Sequence, residues 1–141
     1  MIVLDTNVLS ELMKPRPSPA VLTWIATTEG ELLTTTAITE AELRYGVAAL
    51  PAGRRRTALS ADIDGLLDEE LGGRILAFDR PAAARYAEFA AALSRRGRRS
   101  GMADLMIAAI ADVHGARIAT RNVRHFAGLE VDVVDPFAGA G

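Results

Sequence analysis

The sequence predicts an α/β fold in which a central, mainly parallel sheet is covered by helices on both faces. Short apolar runs rich in β-branched residues alternate along the chain with longer segments whose apolar residues recur at helical spacing. Strands that are separated by helices pair in parallel through right-handed crossovers. The length of 141 residues, 50% of them hydrophobic, predicts a single domain over residues 1–141.

The predicted strands are short apolar runs bounded by polar residues, prolines or glycines. The first is an apolar run that stops at Asp5, and the last precedes a tail rich in proline and glycine. Together the predicted strands cover residues 1–4, 31–35, 74–78, 117–120 and 131–134.

The first three predicted helices are placed by their start and stop signals. A short helix after Asp5 extends to about residue 13 and is ended by prolines. Ser18 and Pro19 are typical of an N-cap and a first helical position, and they open a helix through residue 25. Thr39, followed three residues later by Glu42, matches a capping box and predicts a helix that ends near residue 50.

Three further helices are predicted in the second half of the chain. Residues 54 to about 71 carry leucine and isoleucine at helical spacing and end at a pair of glycines. Asp79 is a predicted cap for the next helix, which stops at Gly97. Residues 102–114 form an apolar helix closed by Gly115, and its composition predicts burial against the sheet.

The composition excludes several classes of protein. The net charge of −2 means that charge alone does not indicate nucleic-acid binding. The absence of cysteine excludes disulfides, thiolate zinc sites and cysteine nucleophiles, and it suits a reducing cytoplasm. Lys14 is the only lysine, and no phosphate-binding G-x-x-x-x-G-K-[ST] motif occurs. No secretion signal or apolar run of 18 residues is visible, so we expect a cytoplasmic protein without a membrane span.

Polar residues that follow predicted strands are the first candidates for a site, because ligands of parallel sheets bind beyond the carboxyl ends of the strands. Asp5 directly follows the first strand, where it either caps the next helix or faces a ligand. Asn122 follows the fourth strand, where it is either a turn residue or part of the same site.

Two further acids lie on predicted helices. Glu40 and Arg44 are spaced as a pair on a solvated face, whereas Glu42 lies on one helical line with Ile38 and Leu50. This spacing predicts that Glu42 points inward. An inward carboxylate is costly unless a cation meets it, although Glu42 could also serve only in the capping box. Asp104 lies in the first turn of the apolar helix, where it either complements the helix dipole or belongs to the site.

A shared crevice for these acids predicts a metal ion. Three carboxylates and an amide would repel one another unless a divalent cation neutralised them. The hard oxygen donors favour Mg²⁺ or Mn²⁺ over zinc, and the two histidines, His114 and His125, are interpreted as surface or capping residues. The chain has no G-x-S-x-G motif, and Asp5 is not followed by the second aspartate of the haloacid-dehalogenase phosphatases.

Four short blocks of the sequence resemble the PIN-domain ribonucleases, and among them the VapC toxins with their FitB-like branch. The blocks occur in the order that this family shows, and they span nearly the whole chain. They are VLDTNVLS (3–10), ITEAEL (38–43), DLMIA (104–108) and ATRNVRHF (119–126).

The resemblance implies a PIN-like three-layer α/β/α sandwich and a Mg²⁺-dependent endoribonuclease, with Mn²⁺ as a substitute, that is the toxin of a toxin–antitoxin pair. It places the catalytic metal ligands at Asp5, Glu42 and Asp104, with Asn122 at a fourth position where family members often have aspartate. Two hydroxyl groups could orient a carboxylate or a bound water, and they belong to Thr6 and Thr120.

The partners that the resemblance implies are an RNA substrate and a VapB- or FitA-like antitoxin, which binds operator DNA for the pair. Homodimers are likewise usual in this family. Four arginines around the end of the fifth predicted helix are candidate contacts to RNA or to the antitoxin, and otherwise they solvate a helix end. They are Arg95, Arg96, Arg98 and Arg99.

Two other functions remain open from the sequence. Asn122 lowers the negative charge of the site by one, which favours a PIN fold that binds RNA or antitoxin without cutting. The same acids could also serve a metal-dependent phosphatase or a DNA nuclease.

Overall fold

The computed structural model describes residues 1–138, so the last three residues of the predicted domain, 139–141, lie outside the described part. Within it, five strands form one sheet in the order β3-β2-β1-β4-β5, and every neighbouring pair is parallel. The strands are β1 (Ile2–Leu4), β2 (Leu33–Thr36), β3 (Ile75–Leu76), β4 (Arg117–Ala119) and β5 (Val133–Val134). The predicted parallel sheet is confirmed, although its strands are mostly shorter than predicted.

Six α-helices connect or follow the strands. They are α1 (Thr6–Leu12), α2 (Pro19–Thr27), α3 (Ala37–Ala48), α4 (Arg54–Gly65), α5 (Arg80–Arg95) and α6 (Met102–Val113). The helix predicted to reach residue 71 continues beyond α4 as a wider π-helical turn, Leu66–Glu70. A 3₁₀ turn that the sequence did not predict, Val123–Phe126, follows β4.

The predicted capping box at Thr39 and Glu42 is wrong, because α3 begins earlier than predicted. The N-cap is Thr36, whose hydroxyl oxygen accepts a hydrogen bond from the backbone N–H of Thr39 at 3.1 Å. Thr39 is itself helical and buried, because β2 passes into α3 without an intervening loop. Asp79 is the N-cap of α5 as predicted, and its carboxylate accepts from the N–H of Ala82 at 3.2 Å.

Alternating side chains of β1 divide the core into two layers. Val3 packs into a cluster with Phe89, Leu105 and Ile118, whereas its neighbours Ile2 and Leu4 face a second cluster on the other side of the sheet. The second cluster is formed mainly by apolar residues of α1, α2 and α4 and of the π-helical turn. Helices therefore cover both faces, and the three-layer α/β/α sandwich is confirmed.

The apolar helix α6 is buried as its composition predicted, with Ile107 through Ala111 almost fully excluded from solvent. Its C-cap is His114, a capping position that the sequence also predicted. Gly115 follows with φ +63°, a left-handed conformation that ends the helix at little cost only when the residue is glycine. Among residues 1–138, no helix combines the length and the apolar character needed to cross a membrane.

Candidate active site

Asp5 lies at the carboxyl edge of the sheet, between β1 and α1. One carboxylate oxygen accepts hydrogen bonds from the backbone N–H groups of Asn7 and Val8 at 3.0 and 3.4 Å. The other accepts from the hydroxyl of Thr120, which follows the neighbouring strand β4, at 2.5 Å. Asp5 therefore caps α1 and is also tied to the strand beside it, so the capping and site interpretations are compatible.

The carboxylate of Asp5 is held in an unfavourable environment for a negative charge. The residue is only 6% exposed, and burial raises the pKa of its carboxyl group. The hydrogen bonds from Thr120 and the α1 backbone act in the opposite direction, and the negative charge of Asp104 raises the pKa further. A bound cation would relieve both the desolvation and the repulsion.

Asp104 is positioned by the first turn of α6, whose buried apolar face fixes the helix against the sheet. Burial raises the pKa of the Asp104 carboxyl group, and His125 lowers it. The Nδ1 atom of His125 lies 3.2 Å from a carboxylate oxygen of Asp104. His125 is exposed, as the sequence predicted, but its contact with Asp104 was missed. The signal that could have revealed it is its place three residues after Asn122 in the fourth block.

The predicted inward orientation of Glu42 is wrong, because Glu42 is exposed on α3. The buried face of this helix is marked by Thr39 and Leu43, a stripe that Glu42 does not share. The predicted pair of Glu40 and Arg44 is confirmed at 2.7 Å.

Glu42 is nevertheless connected to the sheet edge through α1. The hydroxyl of Thr6, the residue after Asp5, donates a hydrogen bond to a Glu42 carboxylate oxygen at 2.9 Å. This is the contact that an orienting hydroxyl requires, and it places Glu42 beside the first turn of α1.

Asn122 is exposed and begins the 3₁₀ turn after β4. Its backbone N–H donates to the hydroxyl oxygen of Thr120 at 3.0 Å. The buried Thr120 thus joins Asn122 to Asp5, accepting from one and donating to the other.

The three acids come from three segments of the chain, and each has its own partner: Asp5 with Thr120, Glu42 with Thr6, and Asp104 with His125. Among residues 1–138, no group of three or more Asp, Glu or His side chains is arranged to hold a metal ion. The donor set of carboxylate and amide oxygens still fits Mg²⁺ or Mn²⁺, which prefer hard oxygen ligands.

The four predicted arginines separate into two pairs. Arg98 and Arg99 line a groove of about 350 Å³ that also contains Asp104, Arg124 and His125, and we call it the Asp104 groove. Its other lining residues are Leu93, Ser100, Gly101 and Ala127.

The second pair lies outside the Asp104 groove. Arg95 and Arg96 line a different groove, beside α5, and Arg96 donates to the carbonyl oxygen of Gly128 at 3.2 Å.

The family model described as PIN domain matches residues 2–130. The chain belongs to the PIN domain family. Over 140 residues it is 46% identical to the VapC ribonuclease Y4jK of Sinorhizobium fredii. The aligned region covers 99% of this chain and 100% of that protein. It is 39% identical over 137 residues to Toxin FitB of Neisseria gonorrhoeae, covering 97% of this chain and 99% of that protein.

A solved structure of FitAB bound to an IR36 DNA fragment has a TM-score of 0.87 and 38% sequence identity, covering 97% of this chain and 96% of that chain. The resemblance predicted from four blocks is therefore confirmed for the family and for its fold. The PIN domain has its acids at the carboxyl edge of the sheet, where the ligand crevice of a parallel sheet is expected.

Proposed function

We propose that this PIN domain is a metal-dependent endoribonuclease and the toxin of a toxin–antitoxin pair. The observation that carries the proposal is the buried carboxylate of Asp5 at the edge of a PIN-domain sheet, whose negative charge is disfavoured mainly by burial and further by the charge of Asp104. Such an arrangement costs stability unless a cation offsets it. The similarity to proteins named VapC ribonuclease and Toxin FitB supports RNA as the substrate and a toxin as the role.

The cofactor we propose is Mg²⁺, with Mn²⁺ as a substitute. Asp5 and Asp104 would hold it, with Glu42 and Asn122 completing the donor set. Such an ion supplies Lewis acidity toward a nonbridging phosphate oxygen and a more acidic bound water.

The chain's own residues contribute position and charge. Thr120 donates a hydrogen bond to Asp5, Thr6 donates one to Glu42, and His125 contacts Asp104, so each of the three acids is oriented by one neighbouring side chain. A phosphodiester placed among these oriented acids needs little reorganisation at the moment of reaction. Catalysis by this site therefore depends on placement rather than on a covalent protein intermediate.

The partner we propose is an antitoxin resembling the one in the solved FitAB complex, to which this chain is similar over nearly its full length. Operator DNA would be bound through that antitoxin, as the resemblance to the family implies; the solved FitAB complex, which is bound to a DNA fragment, supports this. A cytoplasmic location and a homodimer of this single domain remain predictions from the sequence.

A PIN domain that binds RNA or antitoxin without cutting is the second candidate. Asn122 favours it, because a neutral amide replaces the carboxylate that family members often carry. The exposed position of Asn122 on the 3₁₀ turn adds to this interpretation. The presence of Asp5, Glu42 and Asp104 favours the enzyme.

The deciding experiment incubates the purified protein with a panel of single-stranded and structured RNAs, with Mg²⁺, with Mn²⁺ and with EDTA. Asp104→Asn is the control for contaminating nucleases, and its circular dichroism spectrum verifies that it is folded. Cleavage that needs metal and is lost in Asp104→Asn supports the enzyme. Equal cleavage by both proteins, or none under any condition, contradicts it. Parallel incubations with DNA and small phosphate esters distinguish a ribonuclease from a DNA nuclease or a phosphatase.

A further inference from the structure

The Asp104 groove carries three cations that lack partners. Arg98, Arg99 and Arg124 are exposed, and within residues 1–138 none of them forms an ion pair with a carboxylate. The single carboxylate of the groove, Asp104, is in contact with His125 instead. The groove is therefore positively charged along its walls and acidic only where it meets the candidate active site.

Other arginines of the chain show the contrast. Arg44 is paired with Glu40 and Asp64, and Arg85 with Asp112 and Glu88. Arginines in such pairs are already neutralised, so they have little to offer an anion from solution.

The backbone that presents the three guanidinium groups is held in place. The hydroxyl of Ser100 donates to the carbonyl oxygen of His125 at 2.9 Å, which joins the α5–α6 loop to the 3₁₀ turn. Arg98 lies over Gly128, where an added Cβ would come within 2.8 Å of its Nη1 atom. These contacts hold two separate segments of the chain around one groove. The segments that carry the arginines therefore lose less conformational entropy when a ligand binds.

We propose that Arg98, Arg99 and Arg124 form a phosphate-binding subsite that holds the RNA backbone beside the scissile phosphate. This inference rests on the proposed ribonuclease function. Arginine forks bind phosphate oxygens in a bidentate geometry, and such contacts position a strand without reading its sequence. A polyanion approaching three carboxylates needs cations close by, and the groove supplies them next to Asp104.

The lining of the groove favours a phosphate chain over an acidic protein segment. Its one large aliphatic side chain, Leu93, is only 3% exposed, so the groove offers no large aliphatic side chain to a partner's anchor residue. Protein interfaces depend on such buried apolar or aromatic anchors, whereas contacts to a nucleic-acid backbone are mainly polar and charged.

The subsite is tested by binding in a protein that cannot cut. In an Asp104→Asn background, a fluorescein-labelled single-stranded RNA of mixed sequence is titrated at several KCl concentrations, with Arg98→Ala, Arg99→Ala or Arg124→Ala added singly. We expect each added substitution to weaken binding about fivefold at low salt and to reduce the slope of log K against log[salt] by about 0.7. Arg99→Lys, which keeps the charge and loses the fork, should keep the slope and weaken binding less.

Arg55→Ala is the matched control, because Arg55 is an exposed arginine at the start of α4, outside the Asp104 groove. Unchanged affinity and slope in the three groove variants, or an equal loss in Arg55→Ala, overturns the subsite. Groove variants that lose binding to an antitoxin but keep their affinity for RNA also overturn the subsite. If the parent protein cuts no RNA while the groove variants still lose RNA affinity, the subsite stands and the ribonuclease proposal fails.

Discussion

Thr120 provides a direct test of how the fold stabilises the acid of the candidate site. Its hydroxyl is fully buried, donates to Asp5 and accepts from the N–H of Asn122. Thr120→Val keeps the shape of the side chain and removes both hydrogen bonds. Because a hydrogen bond to a charged group contributes about 1.5–3 kcal/mol, and the freed N–H of the exposed Asn122 can be solvated, we expect a loss of about 2–3 kcal/mol in the free energy of unfolding.

The pH dependence of this loss identifies its cause. The hydrogen bond favours the ionised carboxylate of Asp5, so its stabilisation is present at neutral pH and declines as the pH falls through the pKa of Asp5. The measurement is urea denaturation in EDTA at neutral and acidic pH, which keeps metal out of the comparison.

Thr120→Ser is the matched control, since it keeps the hydroxyl and loses one buried methyl group, at a cost of about 1 kcal/mol at both pH values. Equal losses for the two variants at neutral pH, or a loss in Thr120→Val that does not shrink in acid, would refute the assignment of the stabilisation to the contact with Asp5.

Three further predictions concern stability. Because burial raises the pKa of Asp104, ionisation of its carboxyl group destabilises the folded state as the pH rises. In the absence of metal, Asp104→Asn should therefore raise the urea midpoint at neutral pH and flatten the dependence of that midpoint on pH. A lowered midpoint would contradict this. The hydrogen bond from Lys14 lowers the pKa of the buried Glu11. Glu11→Gln should therefore be less stable than the parent protein at neutral pH and equally stable once the pH falls below that pKa. A difference in the free energy of unfolding that stays constant with pH would argue against the ion pair. Ile110→Ala removes a fully buried side chain of α6 and should cost about 2–5 kcal/mol by thermal or urea unfolding, whereas a cost under 1 kcal/mol would mean that α6 is not part of the core.

The architecture could be predicted because its signals are local. Apolar runs that end at polar residues located all five strands, and Gly97 and Gly115 marked the ends of two helices. Strand lengths could not be predicted, because a residue is in a strand only where a neighbouring strand pairs with it. Residues 74–78 are a predicted strand, for example, but only Ile75 and Leu76 are paired in register with β2.

The orientation of Glu42 shows why parts of the site were missed. Its prediction took the line through Ile38 and Leu50 as the buried face of α3, but both residues are only partly buried. The rotation of α3 is set by packing against α1, α4 and α6, and two of these helices, α1 and α6, lie far away in sequence. The 3₁₀ turn that carries His125 was missed for a different reason, since a segment of four residues is too short to show a periodic signal.

The position of the acids follows from the topology of the sheet. Strands β2, β1 and β4 are neighbours and parallel, so the segments that follow them begin at one edge: α3 with Glu42, α1 with Asp5, and the turn with Asn122. Asp5 serves the fold as the cap of α1, yet a cap does not require a carboxylate that is buried, bonded to Thr120 and opposed by Asp104. Asparagine caps helices as well as aspartate and would avoid the buried charge. The charge at this position is therefore not explained by folding, and the cost of burial that its hydrogen bonds leave uncompensated is the strongest structural reason to expect a cation at this edge.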